Sequence, residues 1–108
     1  MRQYVIDELN RDAMERVRQY LDAHCEKSGL DNLFWLKIPE DMLSSDQYTH
    51  KKCQPHCAGI EIGDQFVCFE MLVRSRNSLK CSCIAYATPQ QRQFILSFAD
   101  RLTEETGI

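Results

Sequence analysis

The alternation of apolar and polar positions divides this chain into segments of two periods. Residues 3–8 open with Tyr4, Val5 and Ile6, whose β-branched and aromatic character reads as a short strand. From Asn10 the period changes: Met14, Val17, Leu21 and Cys25 recur at helical spacing, Asn10 stands at the N-cap, and Asp12 and Glu15 suit the positive end of the helix dipole. This first helix is expected to run to about Lys27 and to stop at Ser28-Gly29. Residues 32–38 are apolar on both faces of an extended chain, with Phe34, Leu36 and Ile38 on one side and Leu33 and Trp35 on the other, as an interior strand requires.

Pro39 ends that strand, and residues 40–54 form a polar excursion in which Ser44 and Gln47 have the spacing of a capping box for a short helix. Ile60 and Ile62 then alternate with Glu61, Gly63-Asp64 supplies a two-residue turn, and Phe66–Val73 continues as a longer strand. A polar bend over Arg74–Leu79 leads to a further strand, Cys81–Ala87. Thr88-Pro89-Gln90-Gln91 joins an N-cap, a first-position proline and a capping-box glutamine, so a helix begins there; Phe94, Ile95, Phe98, Ala99 and Leu102 form its stripe and Gly107 closes it. The sum is a single α+β domain over residues 1–108, a two-layer sandwich of about five mostly antiparallel strands with two amphipathic helices on one face, in the order β-α-β-(short α)-β-β-β-α.

The register carries this further. An even turn at Gly63-Asp64 opposes Ile62 to Gln65 and Ile60 to Val67, which places Val67, Phe69, Met71 and Val73 under the helices. An even bend at 74–79 then pairs Met71 with Ile84 and Phe69 with Tyr86. The opposite face receives Phe66, Cys68, Glu70, Leu72, Cys81 and Cys83, joined by Trp35 or Phe34 from the interior strand. It is too apolar for a face left to water. Segment 40–57 folding across it, or a second copy in a homodimer, would provide cover. Glu70, Phe66, Leu72 and Trp35 are the binding candidates there, and the leading expectation is an interaction module working through this face.

Composition adds one anomaly, the six cysteines at 25, 53, 57, 68, 81 and 83. No export signal precedes Asp7-Glu8, and no apolar run approaches the length of a membrane span, so a cytoplasmic protein with reduced thiols is expected. Two segments then carry ligand-type residues, His50-x2-Cys53-x2-His56-Cys57 and Cys81-x-Cys83. A zinc ion held by Cys53, Cys57, Cys81 and Cys83, with His50 or His56 as substitutes, is the alternative to a protein without cofactor, although neither spacing matches the usual C-x2-C knuckle. A thiol or Glu70-centred enzyme is the third class, and an enzyme is less expected than a binding protein. His24-Cys25 and His56-Cys57 adjoin in sequence, but neighbouring side chains usually diverge. The net charge of −3 and pI near 5.5 argue against a nucleic-acid partner, and the four scattered glycines exclude a phosphate loop.

Overall fold

The computed structural model describes residues 2–108. Strand β1 (Gln3–Ile6) leads into helix α1 (Arg11–His24), and the two-residue strand β2 (Glu26–Lys27) precedes β3 (Leu33–Lys37). A 3₁₀ turn at Glu40–Met42, the short helix α2 (Ser45–Thr49) and a second 3₁₀ turn at Lys51–Cys53 connect to β4 (His56–Ile62). Strands β5 (Val67–Ser75) and β6 (Ala85–Tyr86) and helix α3 (Pro89–Thr106) complete the α+β fold. The antiparallel sheet is six-stranded in the order β1-β5-β4-β3-β2, with β6 also on β5. Strand β1 pairs with Val67–Glu70 and β6 with Leu72–Val73, so they share one edge of β5 end to end.

Helices α1 and α3 cover one face. Val17 and Leu21 of α1 and Ile95, Phe98, Ala99 and Leu102 of α3 form one core with Phe34, Ile60, Val67, Phe69 and Val73 of the sheet. Burying such apolar surface stabilises by roughly 25 cal/mol per Å² removed from water, which is why the helical stripes and this sheet face find each other. Phe69 lies at its centre, 6.2 Å from the Tyr4 ring and 6.4 Å from that of Phe98.

The helix starts follow the local signals. The Asn10 carboxamide accepts from Ala13 N at 2.8 Å, and both Ser44 and Thr88 make complete capping boxes with Gln47 and Gln91. Gly107 closes α3 in the left-handed region at φ 75°. The first helix, however, ends at His24 rather than near Lys27. Cys25 is already extended, and Glu26–Lys27 gains more by pairing its backbone with Trp35 and Phe34 than by another helical turn that has nothing apolar to bury. Gly29, at φ 95°, serves the connection between β2 and β3.

Two registers differ from expectation, with opposite consequences. The β4–β5 connection covers 63–66, so Ile62 pairs with Val67 and Ile60 with Phe69. That slip is even, and the side chains of β5 keep their expected faces. Phe66 instead belongs to the connection, its ring against Gly63 where any Cβ would overlap it. A bulge follows, with Gly59 opposite the stretch between Phe69 and Val73, and the Glu70 carboxylate fills the space a side chain at Gly59 would need.

The second slip is odd. Leu72 pairs with Tyr86 and Val73 with Ala85, and residues 76–84 are a connection rather than bend plus strand. The Ser75 hydroxyl accepts from the amides of Asn77 and Ser78 at 3.1 and 3.0 Å, turning the chain away, and β1 already occupies Val67–Glu70, where the expected register would have paired Phe69 with Tyr86. Cys81 and Cys83 therefore leave the sheet altogether.

Candidate metal centre

Three of the six cysteines, Cys53, Cys81 and Cys83, gather on the helix-bearing side, at the N-terminal end of α3. Cys53 closes the second 3₁₀ turn, where its N–H donates to the His50 carbonyl at 2.9 Å and its own carbonyl accepts from the Ser75 hydroxyl at 2.5 Å. Cys81 and Cys83 flank Ser82 in a turn closed by Ile84 N to Cys81 O at 3.1 Å. Two side chains of α2 hold that turn: Gln47 Nε2 donates to the Cys83 carbonyl at 3.1 Å, and Asp46 accepts from the Ser82 hydroxyl at 3.2 Å. Gln47 is 1% exposed and is itself fixed by Gln91 Nε2 at 2.8 Å.

The outcome is that the sulfurs of Cys53, Cys81 and Cys83 all lie within 4.8 Å of one another. Zinc–sulfur bonds of about 2.3 Å in a tetrahedron place two sulfurs roughly 3.8 Å apart, so sulfurs at the full 4.8 Å would close by about 1 Å to share one ion. A nitrogen stands beside one of them, since His56 Nε2 is 3.3 Å from Cys83 Sγ, although His56 lies outside the group whose ligand atoms are all within 4.8 Å of one another. His56 and Cys83 are each 1% exposed, and His56 Nδ1 is a buried atom with no hydrogen-bond partner.

The protonation pattern is uneven. Burial first, and then the neighbouring Cys81 and Cys53 thiols, push Cys83 up to about 12. Cys81 is held below the ordinary thiol value, chiefly by the Cys83 backbone N–H, then by the Cys83 and Cys53 thiols and the charge of His50. Burial lowers His56, which keeps its imidazole neutral. Of these two cysteines Cys81 is therefore the more readily ionised, and it stands near a neutral imidazole. Thiolate and neutral imidazole are the ligand forms of Cys and His.

The structure separates the remaining candidates. Cys57 alternates to the opposite face, in register with Arg74 and Lys37, and is buried there, away from the three-sulfur cluster. Burial raises its thiol while Arg76 lowers it. His50 sits at the end of α2 with Nδ1 3.3 Å from the Asp46 carboxylate; the Asp46 carbonyl is the main cause of its raised pKa, and it reaches Cys81 through its charge. Cys68 is buried on the opposite face, and Cys25 is half-buried below α1, its thiol pushed up to about 12 by desolvation. All six cysteines are free.

Segment 40–53 packs at the start of α3, through Gln91 Nε2 to the Met42 carbonyl at 3.0 Å, rather than across the opposite face, where Ser78, Leu79 and Ile84 of the connection 76–84 stand instead. An open groove of about 590 Å³ lies there, lined by Leu33, Trp35, Cys68, Glu70, Leu79 and Ile84 among others. Glu70 pairs with Arg74 at 3.3 Å, Arg76 stands 5.6 Å over the Trp35 ring and also pairs with Glu26, and Leu72 is half-buried beside Tyr86. Phe66 is not among the lining residues. Gln47 and Gln91 are the functional-site residues that sequence reasoning did not single out. Their capping-box spacing was the available signal, but it gives no sign that the same amides cross to Cys83 and Met42.

Family profiles, curated proteins and solved structures all return no match to this chain. Among the described residues, no helix is long and apolar enough to cross a membrane.

Proposed function

We propose that this chain is a metal-binding module whose resident ion is zinc, held by Cys53, Cys81 and Cys83 with the His56 imidazole as fourth ligand. The observation that carries the reading is the gathering of three sulfurs from two distant segments within 4.8 Å, against a buried histidine. Sulfur ligands select zinc, copper(I) and iron–sulfur clusters, and a Cys₃His set in a tetrahedron is a structural zinc arrangement. Such an ion would tie the connection 76–84 to the turn at Lys51–Cys53, a role that needs no substrate. Reduced thiols suit the cytoplasm. Elemental analysis of protein purified without chelator tests the reading: one zinc per chain supports it, and zinc, copper and iron all far below one per chain refute it.

A second reading concerns the opposite face, proposed as the contact between two copies of this chain. Leu79, 96% exposed, stands at the rim of the groove, and the lining mixes Glu61 and Glu70 with Arg74 and Arg76. A two-fold axis presents each such patch to its own complement. Sedimentation equilibrium on wild type and Leu79→Asp tests it, and a monomer at all concentrations would end it.

A further inference from the structure

The same short connection serves both faces of the sheet. Cys81 and Cys83 stand in it on the helix side, within reach of Cys53, whereas Ser78, Leu79 and Ile84 form one wall of the groove on the other side. We infer that metal occupancy at the three-cysteine centre sets the shape of the opposite groove, through the connection 76–84, so that the groove is a metal-controlled surface. This inference rests on the metal reading above and adds what the site regulates.

The two halves of the connection are held differently. Its start is fixed to the segment that carries Cys53: Ser75 Oγ donates to the Cys53 carbonyl, Arg76 N to the Pro55 carbonyl at 3.1 Å, and Asn77 Nδ2 to the Gln54 carbonyl at 2.6 Å. Its end is fixed to α2 through Cys83 O and Ser82 Oγ. Between these anchors stands Leu79, almost wholly exposed, and Cys81 lies on the stretch that follows. Drawing three sulfurs from separations of up to 4.8 Å toward the roughly 3.8 Å of a tetrahedral edge moves the Cys81 turn against Cys53. The chain entering that turn is the chain that carries Leu79, so the groove wall moves with it.

A different route reaches the same groove. Arg76, whose backbone is tied to Pro55 two residues from Cys53, extends its guanidinium over Trp35. Trp35 is the only tryptophan of the chain and lines the groove, so it reports from the far side of the sheet on an event at the thiols. Coupling of this kind is reciprocal, and a molecule that presses Leu79 into the groove must change metal affinity by the same factor as metal changes its own binding.

The experiment titrates reduced, metal-free protein with zinc alone, following zinc uptake by competition with a chromophoric chelator and, in parallel, the emission and acrylamide quenching of Trp35. The expected result is a shift in emission maximum and a changed quenching slope that saturate together with uptake at one zinc per chain. Cys81→Ser should lose both signals, and Arg76→Gln should keep uptake while losing most of the Trp35 response. Zinc taken up with Trp35 unchanged overturns the coupling and leaves the metal reading standing. Failure of the wild type to take up zinc overturns both.

Discussion

His56 Nε2 and Cys83 Sγ face each other at 3.3 Å with both side chains buried, and the other nitrogen of the same ring meets nothing. A buried imidazole with an unsatisfied nitrogen costs stability in proportion to what its polar atoms forgo, about 1–3 kcal/mol for a neutral group. Such a ring persists because it is neutral, and because Nε2 has a sulfur to face.

That neutrality gives a pH dependence in the metal-free protein. The folded pKa of His56 is lowered from 6.5, mainly by burial and secondarily by the charge of His50, so the unfolded chain takes up its proton first as pH falls. The associated stability is present in full above about pH 6.5 and is lost as pH drops through the lower folded value. Urea unfolding of chelator-treated protein between pH 8 and 5 should show this decline, and His56→Gln should flatten it. Parallel wild-type and variant profiles would refute the assignment.

Gln47 bridges the thiol turn and the last helix, donating to the Cys83 carbonyl while accepting from Gln91 and from the Ser44 amide at 3.1 Å. Gln47→Leu keeps the volume and strands the Cys83 carbonyl and a capping amide. A loss of about 2–3 kcal/mol in unfolding free energy is expected, at the usual cost of unpaired buried polar groups. Because the Cys83 turn loosens, zinc affinity should fall as well. Denaturant titration and zinc competition check the two effects separately, and a variant as stable as wild type would show that the amide bridge contributes nothing.

Metal capture must also release protons. Cys83, held near 12 by burial and its neighbouring thiols, is protonated at pH 7.5 and cannot ligate as a thiol. Zinc binding followed by calorimetry should therefore show an enthalpy that depends on the ionisation enthalpy of the buffer, with at least one proton released per zinc. A buffer-independent enthalpy would exclude Cys83 as a thiolate ligand.

Much of this fold was legible in the chain because its signals are local. Asn10, Ser44 and Thr88 each start a helix within a few residues of their caps, and the alternation Val67, Phe69, Met71, Val73 fixes a core face that an even slip cannot overturn. Strand β6 was not legible, because its register depends on β1 having already claimed Val67–Glu70 of the same edge, a contact between segments far apart in sequence, and its shortness on the Ser75 turn. The candidate site was legible by half. Cys53, Cys81 and Cys83 do converge, but on the helix side, because the Ser75 hydroxyl turns the chain out of the sheet before Cys81. Cys57, a neighbour of His56 in sequence, is carried to the other face by strand alternation alone. His56 needed three dimensions to be preferred over His50, since only burial against Cys83 distinguishes them.

The most direct measurement of the metal centre is the absorption spectrum of the cobalt(II)-loaded protein across single Cys→Ser variants. The account predicts sulfur-to-cobalt charge transfer with tetrahedral d–d bands in wild type, weakened or lost in Cys53→Ser, Cys81→Ser and Cys83→Ser, and unchanged in Cys57→Ser, Cys68→Ser and Cys25→Ser. Wild-type spectra without thiolate bands, or bands that vanish with Cys57 and survive the loss of Cys83, would contradict it.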